Sequence, residues 1–453
     1  MRCAFLLLIT LAVLGTGGCT GFSKDGGFDA VADAARQRLV ADVEWPRTSQ
    51  ERAKAETQVD ALLGHPLTAE DAVQIALLNN RMLQGAFEEL GISEADLVQA
   101  GRLPNPRFDL RHASAAGQYD IEETLSLNVL SLLTMPYARD IARQRFTQAQ
   151  RVAVLRVAQL ARDTREAYYA AVAAGESRNY QLKVRAAAET GATLAQRMVA
   201  AGNWSQLDQA REQNFYVDAV QGVTHAELAD AGAREKLISA MGLPGEKSAT
   251  LNLQLAASLP DLPASLENLS DVESALLQNR LDLQLMRLRM DELQRSLKLA
   301  RSTRFINVLD AGATRVQQGS RDAPYERGYT ITLEVPIFDS GAARVKKSEA
   351  IYAQAVDRFT QAAIEARSQI RLAYANYRAA FELARQQRDA LPLRKAIAQE
   401  NLLRYNASQI SIFELLSAAA AQAAAFDGYI QRLRDFWIAK SQLDAALLGD
   451  AAP

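Results

Sequence analysis

The chain repeats itself once, and that repeat limits what it can fold into more than any other feature. Asn80-Arg81, in ALLNNRMLQ, recurs as Asn279-Arg280, in ALLQNRLDL, 199 residues later. Pro136 recurs as Pro336 at an offset of 200. The segment TREAYYAAVAA (Thr164–Ala174) recurs as IRLAYANYRAA (Ile370–Ala380) at 206. Gly202 to Leu207 recur as Ser408 to Phe413 at the same offset, and Gly242 recurs as Gly449 at 207. Most of the drift falls in one stretch, as a single small insertion would leave it. A period near 200 residues is far longer than a solenoid unit. The chain therefore reads as a duplicated structural half, and an internal two-fold repeat implies a pseudo-symmetric object.

Each half carries the same succession of patterns. Thr68-Ala69-Glu70-Asp71 is a capping box followed by Val73, Ile75, Ala76, Leu78 and Met82 at helical spacing, predicting a helix that runs to about Gly101. Leu103-Pro104-Asn105-Pro106 stops it. Two strand-like runs follow, Arg107–Ala113 and Glu123–Leu132, separated by a turn containing Gly117. In the second half, Phe305–Val316 is followed by strict alternation of Tyr329, Ile331, Leu333, Val335 and Ile337 with Thr330, Thr332, Glu334 and Pro336. Period 2 over this length means a sheet with one apolar and one polar face, expected to stay amphipathic to its tip.

Behind each hairpin lies a long helical stretch: about 138–201 and 205–241, then about 342–405 and 411–448. Pro392 is the only proline in them. Sixty residues of helix span on the order of 90 Å. Such rods must pack sideways as coiled coil, and abundant Ala lets their axes approach closely. The expected domains are a linker over 19–66, a first repeat over 67–243 with its hairpin at about 106–132, an inter-repeat linker over 244–269, a second repeat over 270–449 with its hairpin at about 305–337, and a tail over 450–453.

Each strand is roughly ten residues, the length a tilted transmembrane β-strand needs. An open four-stranded sheet cannot sit in lipid, because its edge N–H and C=O groups would lack partners. Four strands are too few for a useful barrel, so several chains must share one. Three chains give twelve strands around an aqueous lumen. The competing reading is a soluble sheet packed on helices.

Residues 1–18 have the layout of a secretory signal: Arg2, an apolar run from Ala4 to Leu14, then small residues. Gly18-Cys19 reads as a lipoprotein cleavage site with Cys19 as the lipidated first residue, although Thr16 stands where Leu is usual. Thr20 follows, where Asp would signal retention in the inner membrane. Removing the signal takes away Arg2, so the formal charge becomes 50 − 53 = −3, and nothing suggests nucleic acid. Cys3 leaves with the signal. One remaining Cys allows no disulfide framework. His65, His112 and His225 show no ligand spacing and read as solvated surface residues. No nucleophile–base pair, phosphate loop or cofactor motif appears, so the chain does not read as an enzyme.

With these elements in order, the chain resembles a TolC-family outer-membrane efflux protein of the lipoprotein type. The carrying segments are LTAEDAVQIALLNNRMLQ, AGRLPNPRFDL, LEVPIFDSGAARVKKSEAIYAQA, RMVAAGNWSQLDQAREQ and RYNASQISIFELLSAAAAQAA, spread from about Pro66 to Gly449. LEVPIFDSG, where a strand ends and a long helix begins, is the most specific of them. The resemblance implies a mainly α fold with a small β part: a homotrimer sharing a 12-stranded β-barrel in the outer membrane, above a long α-helical coiled-coil barrel in the periplasm. A periplasmic adaptor protein and an inner-membrane pump of the RND type would dock at the lower end. Two departures stand out. TMPYARD, the first-half counterpart of VPIFDSG, keeps Pro136 but lacks Gly, and Ser408 stands where the family places Gly, so that turn is either stiffer or uses another left-handed residue such as Asn406.

The resemblance also marks site residues. Asp208 and Glu414 occupy equivalent positions, where a family acid faces the tunnel mouth. Three chains would present six carboxylates as an acid ring attracting cations. Arg211, three residues after Asp208, is placed to neutralise part of it. Tyr405 matches an aromatic that supports the closed gate, but Ile410 stands where its arginine partner is usual; Arg404 is the candidate substitute. The turns Gly202-Asn203-Trp204-Ser205 and Ser408-Gln409-Ile410-Ser411 are the candidate adaptor contacts. The competing reading puts all of these on solvated helix surface. The function implied is the exit duct of a tripartite efflux system; the alternatives are a duct for type I protein secretion and a poreless periplasmic scaffold lipoprotein.

Overall fold

The computed structural model describes residues 21–39, 42–243, 253–266 and 280–450. The signal segment, Cys19, much of the inter-repeat linker, the opening of the second repeat with Asn279, and the last three residues lie outside them. The described chain is mainly helical with one small sheet. Its elements are α1 (Asp29–Leu39), α2 (Ser49–Leu63), α3 (Ala69–Asn79), α4 (Arg81–Ala100), β1 (Arg107–Ala115), β2 (Gln118–Asn128), α5 (Val129–Ala200), α6 (Gln206–Met241), α7 (Leu281–Ser302), β3 (Leu309–Gly319), β4 (Glu326–Leu333), α8 (Ala342–Asn406) and α9 (Ile412–Leu448). They fall into two compact units. Among the described residues, one is formed by the chain up to Val31 with Phe87–Ala153 and Leu283–Ala363, the other by the described parts of Ala32–Ala86, Val154–Asp282 and the chain from Ile364.

The first unit holds the sheet. Its order is β1-β2-β3-β4, and every neighbouring pair is antiparallel. The register puts Phe108, Leu125, Ala313 and Tyr329 in one row across all four strands, with Leu127, Ala311 and Ile331 in the next and Leu309 opposite Leu333 beyond. This face is apolar and open to solvent; Tyr329 is 83% exposed and Ile331 64%. The opposite face carries Asp109, Glu122, Thr124, Ser126, Asp310, Thr330 and Thr332 around a concavity of about 420 Å³. Both edges, β1 and β4, are bare of strand partners among the described residues.

The second unit holds the larger core, where Ile75, Leu78, Tyr168, Val172, Leu237, Met241, Tyr377, Phe381, Ile430, Phe436 and Leu443 pack together. Arg280 is sealed inside it. Its guanidinium donates to Ala446 O (2.9 Å), Gln369 Oε1 (3.0 Å) and both carboxylate oxygens of Asp282 (3.0 and 2.8 Å). A buried charge with that many acceptors is satisfied, which is what makes its burial tolerable.

Several expected boundaries moved: β3 runs Leu309–Gly319 rather than Phe305–Val316, and β4 runs Glu326–Leu333, so that Val335 and Ile337 lie beyond the strand. The helix from Thr68 breaks at Asn80, whose backbone is extended (φ −67, ψ 117). The Asn80 carboxamide accepts from the N–H groups of Met82 (3.0 Å) and Leu83 (3.2 Å), starting α4, while its Nδ2 donates to Ala240 O (3.0 Å). Strand pairing of β2 stops at Asn128 rather than 132, and α5 begins at Val129. Asn128 Oδ1 accepts from Ser131 N, the local bond of a helix start. The run Val129–Leu133 suits either period, so its sequence did not decide. Pro136 lies inside α5, which continues through it with one donor fewer.

Mid-helix glycines admit polar side chains between the paired helices. A Cβ on Gly222 of α6 would meet Gln181 Oε1 of α5 at 3.2 Å, and one on Gly428 of α9 would meet Gln387 Nε2 of α8 at 3.2 Å. Both members of the second pair lie 206 residues beyond the first.

Candidate functional site

Apart from Cys19, which lies outside the described residues, the site residues singled out in sequence lie in the second unit, at the turns joining α5 to α6 and α8 to α9. Both long helices end in a Schellman motif. After α5, Gly202 N donates to Val199 O (2.9 Å) and Asn203 N to Met198 O (2.9 Å); after α8, Ser408 N donates to Tyr405 O (2.9 Å) and Gln409 N to Arg404 O (2.8 Å). The motif needs a left-handed residue at its centre. Gly202 supplies it with φ 75, and Ser408 does so with φ 60. The left-handed residue of the second turn is thus Ser408 itself, not Asn406, because the two crossing hydrogen bonds fix which residue must turn.

The following helices start alike. Ser205 and Ser411 are N-caps in extended conformation (ψ 156 and 157), and their hydroxyls accept from Asp208 N (3.1 Å) and Glu414 N (3.3 Å). The two acids therefore stand at the same helical position, three residues past the cap. Glu414 closes a full capping box by accepting from Ser411 N (3.2 Å). Asp208 accepts instead from the Ser205 hydroxyl (2.7 Å) and pairs with Arg211 (3.6 Å). Both carboxylates also sit where the helix dipole favours negative charge. Each acid thus has a local structural role, whatever else it does.

The remaining candidates are placed as follows. Trp204 and Ile410 are half-buried at the two turns, while Asn203, Ser205, Gln409 and Ser411 are exposed. Tyr405 is half-buried. Arg404 is committed to Glu400 one turn back (2.9 Å) within its own helix, rather than to Tyr405. One turn past the caps, α6 and α9 flank a groove of about 470 Å³ lined by Arg211, Asn214, Phe215 and Asp218 on one side and Leu416, Ser417 and Ala420 on the other. The helices bearing Asp208 and Glu414 are therefore neighbours.

Sequence reasoning missed Glu212, four residues past Asp208. It is 1% exposed, burial pushes its carboxyl pKa up, and its Oε2 has no hydrogen-bond partner among the described residues. It fits because a Cβ on Gly191 of α5 would come within 2.9 Å of that oxygen. The signal was present: an unexplained glycine in the middle of a long helix marks a neighbour needing room. His65, His112 and His225 are exposed.

No protein-family model and no curated protein matches the sequence. Solved structures do. The chain is similar to CusC, whose structures follow conformational changes accompanying folding and transmembrane channel formation, with a TM-score of 0.71 at 16% identity over 87% of this chain and 92% of that one. It is similar to the outer-membrane channel OprN with a TM-score of 0.69 at 18% identity, over 92% and 96%. It is also similar to the open state of the MtrE outer membrane channel of Neisseria gonorrhoeae, with a TM-score of 0.68 at 16% identity over 84% and 89%. The chain has the fold of these outer-membrane channels.

Proposed function

We propose that this chain is an outer-membrane efflux protein of the TolC family, the exit duct of a tripartite system, conducting solutes rather than transforming them. The observation that carries the reading is the sheet. Its apolar face is exposed and, among the described residues, both of its edges are bare, a combination that lipid forbids unless further strands close the ring. Three chains bring twelve strands. Their polar faces, lined by Asp109, Glu122, Thr124 and Thr332, would then surround water. Likeness to solved outer-membrane channels supports the same conclusion at the level of fold.

The finer parts of the reading follow from it. The halves are a duplication, supported by the matching Schellman turns, the equivalent acids and the repeated glutamine–glycine pairs. The turns at Gly202–Ser205 and Ser408–Ser411 meet a periplasmic adaptor coupled to an inner-membrane RND pump. Asp208 and Glu414 form the acid ring at a gated mouth, with Arg211 tempering it and Tyr405 supporting the closed gate. Cys19 carries the lipid anchor. A duct for type I protein secretion would use the same elements. A poreless scaffold would leave the exposed apolar face without purpose.

The test is single-channel conductance of the purified mature protein in a planar bilayer, with its oligomeric mass measured alongside. A trimer with a small cation-selective conductance is expected. A monomer without conductance would remove the shared-barrel argument and leave the scaffold.

A further inference from the structure

The apolar face of the sheet does not stay apolar to its tip. One complete row across the four strands reads Leu110, Glu123, Arg315, Arg327. It lies directly above the row of Phe108, Leu125, Ala313 and Tyr329, on the side of the hairpin turns. Arg315 and Arg327 face each other across β3 and β4, and like charges directly opposite are destabilising. Glu123 answers only one of them, pairing with Arg315 at 3.4 Å. The Arg315 guanidinium also lies over the Tyr325 ring, 3.8 Å from its centroid, which holds it in place. Arg327 is exposed. Within the row one positive charge is left over, directly beside the apolar rows through Tyr329 and Ile331.

Its height matters. Leu333, the last residue of β4 and itself exposed, lies six residues along the strand from Arg327. At about 3.3 Å per residue and a tilt of about 40°, that is about 15 Å of vertical span, and the exposed Val335 and Ile337 beyond the strand extend the apolar surface further toward the ~25 Å band of a membrane barrel. The charged row thus falls where hydrocarbon gives way to headgroups. We infer that Arg315 and Arg327 form a binding site for the phosphate of an outer-leaflet lipid, with Glu123 and Tyr325 positioning Arg315. Two arginines a strand apart suit a phosphate, which accepts charge-assisted hydrogen bonds from both. The inference rests on the channel reading, which directs the hairpin turns outward. In the trimer the site occurs three times, on the lipid-facing side.

The experiment is native mass spectrometry of the delipidated full-length trimer titrated with bisphosphorylated lipid A, with inorganic phosphate as a separate arm. Arg315→Gln and Arg327→Gln are compared with Arg111→Gln, which lies on the opposite face. Each of the first two should weaken lipid binding about tenfold, the loss of one charge-assisted hydrogen bond, and Arg111→Gln should not. Inorganic phosphate at millimolar concentration should not displace the lipid. Equal lipid binding by all variants would overturn the site, and full displacement by inorganic phosphate would overturn the lipid assignment. Conductance of the same preparations keeps the two readings apart. Variants that conduct but do not bind lipid support the site. A wild type that binds lipid through both arginines without conducting removes the channel reading and, with it, the assignment to the outer leaflet, leaving only a phosphate-binding arginine pair.

Discussion

Replacing Ser408 by glycine should make the α8–α9 turn more stable. Ser408 holds φ 60. An L-residue there costs roughly 1–2 kcal/mol from the clash of Cβ with the following carbonyl. Glycine removes that clash but adds about 0.5–1 kcal/mol of unfolded-chain entropy. The balance is a net gain of about 0.5–1 kcal/mol, or roughly two- to fivefold in the opening equilibrium of the turn. The amides that report it are those of the motif, Ser408 N bonded to Tyr405 O and Gln409 N bonded to Arg404 O. Native-state hydrogen exchange at Gln409 should slow by about that factor in Ser408→Gly, because fraying helix ends exchange by local opening. The mirror experiment is Gly202→Ser, which should speed exchange at Asn203 by a similar factor. Unchanged exchange at Gln409, or slower exchange at Asn203 in the mirror variant, would refute the argument that left-handed strain limits this turn.

Removing charge from the acids while keeping their caps, in a combined Asp208→Asn and Glu414→Gln variant, should weaken block of the pore by a trivalent cation at low salt; unchanged block in planar bilayers would sink the ring. Ile331→Lys puts a charge on the exposed apolar face of β4 and should cost about 2–4 kcal/mol near the bilayer midplane, reducing heat-resistant trimers in outer-membrane fractions, whereas Thr332→Lys on the opposite face should leave them; equal loss from both would contradict the assignment of faces. The Glu212 carboxyl is held above its unfolded pKa by burial, so its favourable contribution is complete below the unfolded pKa and is lost as pH rises through the folded one. Glu212→Gln should therefore raise the thermal midpoint relative to wild type at about pH 8 and give no gain at about pH 4; the same shift at both would mean that titration of Glu212 is irrelevant.

How much of this was legible in the chain depends on what each element asks of its residues. The long helices and the hairpins announce themselves, because their periods, 3.6 and 2, are written over tens of residues and interrupted only by Pro and Gly. The start of α5 was not legible: Val129–Leu133 satisfies both periods, and the deciding bond is a single one from Ser131 N to Asn128 Oδ1. The break at Asn80 was hidden for a related reason. Its carboxamide serves two helices at once, and one of its partners, Ala240, is 160 residues away. Among the site residues, the equivalence of Asp208 and Glu414 could be read from the repeat, but their engagement in helix caps required the ψ of Ser205 and Ser411. Glu212 left one indirect sign, the mid-helix Gly191 that makes room for it, whereas the row through Arg315 and Arg327 was out of reach because it depends on which residue lies opposite which, and opposition is set by register.

The glutamines lodged against glycines between paired helices act as keys in slots. Gln181 enters the space that Gly222 leaves, and Gln387 enters the space at Gly428, where its Nε2 also donates to Ala425 O at 2.9 Å. To slide one helix along its partner by a turn, about 5.4 Å, the amide would have to leave its slot and meet side chains where the glycine had been. Bending of the pair as a whole disturbs the key far less. Each pair of helices is therefore indexed along its length: it can bend as a unit, but sliding one member along the other is opposed.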